Sequence, residues 1–196
     1  YDGTLKTPEV ETAKYEPTDK SELTIAASGS NGYTVEYSNN LKATTEASKA
    51  VATFTGHGDY TGTATVEFDI AKKDLIVDIT PASKIYDGTP LSSAAYTVNT
   101  ETPLGTNDAI TEFTTTGSVT HVSENPAAGV NNNIGNTIVI THTEGSTTSE
   151  ATENYNITVN ASTLNIIPKD IGTTDGGKVT FTVADGGTYD GTLKEP

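Results

Sequence analysis

Residues 63–74 read TATVEFDIAKKD, and their alternation decides the fold. Ala64, Val66, Phe68 and Ile70 point one way and Thr65, Glu67 and Asp69 the other, the period of two that marks a strand with one buried face. A Lys-Asp step ends the run. The same ending recurs in NIIPKD, residues 165–170, so a domain junction is expected at each.

Working outward, YTVEYSN (33–39) alternates with Tyr33, Val35 and Tyr37 inward, KAVATFTG (49–56) supplies a further strand, and EVETAKY (9–15) and SELTIAA (21–27) supply weaker ones. Asn39-Asn40 and the stretches 29–32 and 56–59 carry turn chemistry. Beyond the first Lys-Asp step, strands are expected in LIVDIT, AAYTVN, ITEFTTTGSVT, NTIVITHT, NYNITVN and STLNIIP, divided by the loops ETPLGTND, SENPAAGVNNN and EGSTTSEATE. No stretch sustains an apolar face at helical spacing for three turns. The predicted fold is all-β: two tandem Ig-like β-sandwich modules plus a C-terminal strand belonging to the next module. The first would cover residues 1–72, the second 73–169, and residues 170–196 would be linker and donor strand.

Composition agrees with strands. About one residue in five is Thr and Tyr is the commonest aromatic, a mix suited to half-buried pleated surfaces rather than helices. The 196 residues carry a net charge of -15 without a single Arg, which argues against nucleic acid or an anionic membrane as partner. There is no Cys, hence no disulfide or thiolate metal site, and no apolar run of membrane-spanning length. The lack of Met leads us to expect a processed chain or an excised fragment.

YDGTLKTP (1–8) and YDGTLKEP (189–196) differ at one position, and a looser copy, YDGTPL, lies at 86–91. Their spacing alternates rather than repeats, so the unit is a pair of different modules, and the chain reads as one period of an array cut out of register. KVTFTVADGGTYDGTLKEP (178–196) follows the pattern of LIVDITPASKIYDGTPL (75–91), which opens the second module. It is therefore read as the opening strand of the next first-type module, the strand that the module at residues 1–72 lacks. Burying Val179, Phe181 and Val183 is worth about 1.5–3 kcal/mol each, so a matching groove is expected, with Tyr189 closing the turn. Donation to a neighbouring copy is the expected route, along a continuous polypeptide or between separate subunits.

YDGTLKTP, YTVEYSNN, ATFTGHGDYTGT and VEFDI resemble the Ig-like repeats of large bacterial surface proteins. KIYDGTPL, TTTGSVT, ENYNITV and STLNIIPKD resemble the YDG and MBG-type modules of the same proteins. The resemblance implies a repetitive adhesin, stalk or filament at the bacterial cell surface, outside the cell, and supplies no catalytic residue to transfer. Its partners would be neighbouring copies of itself, with host glycan or mucin as the alternative ligand. Surface domains of this kind sometimes join a Lys to an Asn through an amide bond. Lys73, Lys84, Asn154 and Asn156 lie on the first and last strands of the second module, where such pairs occur.

Other constellations are better explained by structure. Asp-Gly is first a turn signal and the preceding Tyr a lid over a sandwich end. His142 and Glu144 would share a strand face without a third ligand nearby, and no calcium-loop spacing is present, so neither metal nor cofactor is expected. No nucleophile-base-orienter set can be assembled, and the chain is not expected to be an enzyme.

Overall fold

A computed structural model describes residues 1–15, 23–24, 31–171 and 182. Among them the chain is all-β, with thirteen strands, two short 3-10 turns and no α-helix. The expected donor residues Val179, Phe181, Val183 and Tyr189 lie outside the described residues.

In the first part, β1 (Lys14–Tyr15) pairs antiparallel with β2 (Leu23–Thr24). The strands β3 (Gly32–Ser38), β4 (Ala50–His57) and β5 (Thr63–Phe68) form an antiparallel sheet in that order. Its ladder puts Val35 beside Phe54, Tyr37 beside Ala52, and Ala52 beside Val66, so one face gathers the apolar residues. Tyr33, Ala50, Ala52 and Ile70 are buried there, and the rings of Tyr33 and Phe54 meet edge to face at 5.5 Å. Asn39, at φ 52°, makes the left-handed step that ends β3, and its side-chain amide donates to the Lys49 carbonyl at 2.8 Å. The apolar row of β5 departs from the expected burial. Ile70 is buried and Phe68 half-buried, whereas Ala64 is exposed and Val66 is 55% exposed. The physical reason is position: among the described residues β5 is the sheet's edge, paired only with β4.

The second part is fuller. It contains β6 (Lys73–Ile79), β7 (Ala82–Ile85), β8 (Tyr96–Val98), β9 (Asp108–Thr115), β10 (Gly135–Glu144), β11 (Thr147–Glu150), β12 (Tyr155–Asn160) and β13 (Leu164–Ile167). A sheet ordered β12-β6-β8 packs against one ordered β11-β10-β9 in a β-sandwich-like arrangement. Between them lie Leu75, Val77 and Tyr155 from one side and Ile140 from the other, while Tyr96 and Phe113 bring their rings within 4.6 Å. A smaller cluster of Val119, Leu164 and Ile166 collects Ala82, Tyr86 and Leu91 beneath the pair β7-β13.

The first and last strands of this part run side by side and parallel. β6 pairs with β12 and β7 with β13, and the sequence offset is the same in both ladders: Lys73 faces Tyr155 and Ala82 faces Leu164. The two strands also change faces together. Val77 and Val159 turn toward the main core, and Leu164 and Ile166 toward the smaller one, with Ala82 packed on it.

Two elements lie where the sequence predicts loop. β11 falls within EGSTTSEATE because its four residues are all polar, and the cue was the two-residue Gly145-Ser146 connection, with Gly145 at φ 58°. β7 falls within the bend after Pro81 because four residues are too few to display a period.

Candidate functional site

The two described Tyr-Asp-Gly-Thr segments share one geometry. At the first, Asp2 Oδ1 accepts from the Thr4 backbone N–H at 3.0 Å and from the Thr4 hydroxyl at 2.6 Å, closing an Asx turn around Gly3 at φ 79°. At the second, Asp87 Oδ1 accepts from the Thr89 N–H at 2.9 Å and its hydroxyl at 2.8 Å around Gly88 at φ 80°. A lysine neutralises each carboxylate, Lys6 at Asp2 and Lys84 at Asp87. Hydrogen bonds from Lys6 and Thr4 draw the Asp2 carboxyl down to about 2. Lys84 and Thr89 hold that of Asp87 well below the carboxylate range.

Each turn is tied to the last strand of its own part in the same way. The Tyr86 N–H donates to the Ile167 carbonyl at 2.9 Å, and the Tyr1 nitrogen donates to the Ala71 carbonyl at 2.6 Å. Laid over each other, FDIAKKD (68–74) and LNIIPKD (164–170) put Ala71 on Ile167, so the two bonds are equivalent. A further pair agrees: Lys6 N–H to the Asn40 carbonyl at 2.8 Å corresponds to Leu91 N–H to the Val119 carbonyl at 2.7 Å.

What precedes the turn differs. In the second part, β7 leads into Tyr86 while lying parallel against β13. In the first part, no strand among the described residues pairs with the corresponding flank of β5. The direction of its backbone groups follows from strand alternation. The Gly62 carbonyl accepts from Gly56 on the β4 side, and Ile70 bonds to Thr44 through both its N–H and its carbonyl. The odd-numbered residues Thr63, Thr65 and Glu67 therefore aim their N–H and C=O groups away from β4, toward the side where Tyr1 meets Ala71. A groove of about 840 Å³ lies over the apolar face of this sheet, lined by Val10, Tyr33, Phe54, Tyr60, Ala64 and Val66. A smaller one of about 450 Å³ is lined by Phe68, Ile70, Tyr1 and Leu5.

The first turn is also seated in the second part. The Asp108 carboxylate, its side chain fully buried, accepts from the Tyr1 hydroxyl at 2.8 Å, from the Tyr155 hydroxyl, and from His142 Nδ1 at 2.6 Å. The Tyr1 ring stands edge-on to that of Tyr155 at 5.5 Å. The Thr106 N–H donates to the Asp2 carbonyl at 2.7 Å, and the Gly105 N–H to the Tyr155 hydroxyl at 2.7 Å. Only glycine fits at position 3, because a Cβ there would fall 2.1 Å from the Thr106 carbonyl oxygen. Burial, reinforced by Asp108, pushes both phenols above their usual range, so Tyr1 and Tyr155 stay protonated donors. Around Gly88, by contrast, an added Cβ would meet nothing within 4 Å.

Sequence reasoning placed the Tyr-Asp-Gly-Thr turns but missed Asp108, which stands at the end of a run read as loop, without spacing or period to mark it. Tyr86, in its own turn, rests on the smaller core beside the ring of His121 at 5.8 Å. Lys73 faces Tyr155 on the ladder and thus lies next to the rungs of Asn154 and Asn156. Asn154 is buried and accepts from the Ala43 N–H at 2.9 Å, while the Asn156 amide donates to Asp74 at 3.0 Å. Lys84 lies on the other ladder, opposite Ile166, and its amine donates to Asp87, Thr89 and the Pro90 carbonyl. His142 Nε2 lies 3.5 Å from Glu144, and among the described residues no group of three or more acids and histidines could hold a metal ion.

Fold and site together define an all-β, β-sandwich-like chain with an open strand flank and two matched turns. No family model, curated protein or solved structure matches it.

Proposed function

We propose that this chain is a structural repeat of an extracellular bacterial surface stalk, adhesin or filament, built of two tandem Ig-like modules and assembled head to tail by strand complementation. Residues 178–188 of one copy add to the flank of β5 in the next. One observation carries this reading: β7, which leads into the Tyr86 turn, lies parallel against the last strand of its part, while among the described residues β5 is paired with β4 alone.

The energetics favour filling the vacancy. Val66 at 55% exposure and the groove beside it leave apolar surface in water, and covering it with Val179, Phe181 and Val183 would return about 5–9 kcal/mol before ordering costs. The edge amides of Thr65 and Glu67 would gain partners by β-augmentation. The tyrosines of both described turns lean on the interior instead of standing free, which supports a spacer over a glycan-binding surface.

Sedimentation of the full chain tests the reading. Concentration-dependent oligomers are expected, and Phe181→Asp should reduce them to monomer. Equal masses for the two proteins would overturn the proposal.

A further inference from the structure

The seat around Asp108 holds a sequence that the chain carries twice. Residues 189–194 repeat residues 1–6, YDGTLK, without change. Every contact that the seat makes is available to both copies: the tyrosine hydroxyl on Asp108, its ring on Tyr155, the aspartate carbonyl on Thr106, and a glycine where no Cβ fits.

We infer that the Tyr189 turn of one copy takes the seat held by the Tyr1 turn of another, and that this anchor fixes the donated strand in a single parallel register. The inference rests on the head-to-tail reading above and adds its partner segment and alignment. With the Tyr189 N–H on the Ala71 carbonyl, as Tyr86 is on Ile167, counting back along a parallel pair sets Val183 beside Val66, Phe181 beside Ala64 and Val179 beside Gly62.

That alignment was not imposed by the apolar residues, yet it satisfies them. Paired parallel residues share a face, and in the second part both strands change faces together. β5 keeps one face from Ala64 through Ile70, so its partner must also keep one face, as Val179, Phe181 and Val183 do at this offset. A slip of one position would turn all three toward solvent. The smallest apolar side chain of the row, Ala64, then stands next to the largest incoming one, Phe181.

The chain has no cysteine, so paired substitutions on the outer face read the register directly. Thr65 and Thr182 are both exposed and become direct neighbours at this offset. In the full chain under mild oxidation, Thr65→Cys/Thr182→Cys should give a ladder of disulfide-linked oligomers, and Thr65→Cys/Thr180→Cys should lose it. Oligomers that form but link equally through both pairs, or better through the second, would overturn the register while leaving strand donation standing. A disulfide confined to monomers, or no oligomer at all, would remove donation and the seat with it. The seat is read separately by two conservative variants with opposite expected signs. Tyr189→Phe should weaken association about tenfold through loss of a bond to a buried carboxylate, and Tyr1→Phe should strengthen it by freeing the seat. Changes of the same sign in both would overturn the exchange.

Discussion

The two parts of this chain end in the same device and differ in what lies beside it. In the second part, β6 and β7 cover the full length of the last strands, and Leu75 and Val77 reach complete burial. In the first part, β5 has the same anchored turn at its end, but Val66 remains more than half exposed on a face that its neighbours in the sheet bury. An alternating strand is thus not sufficient for a closed core. On the proposed reading the flank takes a second strand, with the direction and register that the parallel pairing in the second part suggests.

The largest contrast lies in the cores. Leu75→Ala should cost about 2–5 kcal/mol, since the site is packed on all sides, while Val66→Ala in the monomer should stay within about 0.5 kcal/mol; urea unfolding of the two variants measures both. A similar loss at both positions would erase the difference between the parts. Next come the turns. Gly88→Ala pays left-handed strain of about 1–2 kcal/mol in open space, whereas Gly3→Ala pays that strain and also drives a Cβ into the Thr106 carbonyl, so it should lower the thermal midpoint further. Equal shifts would mean that the first turn is not seated.

The smallest effect sharpens the likeness between the turns. Asp2 is held at about 2 and Asp87 lower still, each below the ordinary carboxylate value, so each carboxylate is favoured in its charged, folded-state form. The stabilisation this gives is complete above the unfolded value near 3.8 and is lost as pH falls through the depressed one. In an acid titration followed by amide NMR, the Thr4 signal should move near pH 2 and that of Thr89 at lower pH, and neither near pH 4. Both carboxylates are about half exposed, so solvent screens them and the effect on overall stability is modest.

Much of the strand content could be read from period two alone, because YTVEYS and LIVDI each have one more buried and one more exposed face, and TATVEFDI alternates apolar with polar residues although only its end is buried. The all-polar β11 and the four-residue β7 could not, since neither displays that contrast. The Tyr-Asp-Gly-Thr motif announced a turn, but not that one copy is inserted into a neighbouring core. That depends on Asp108, whose role is created by chain segments distant in sequence and leaves no local pattern. The apolar row of β5 was read correctly as a face, and the open flank explains why part of it is exposed.

The central claim is that the outward amides of β5 receive a strand from another copy. Amide hydrogen exchange at Thr65 and Glu67 tests it most directly, comparing the full chain at assembling concentration with Phe181→Asp. The account predicts slow exchange in the first and fast exchange in the second, with Leu75 and Val77 protected alike in both. Identical exchange at Thr65 and Glu67 in the two proteins would contradict it.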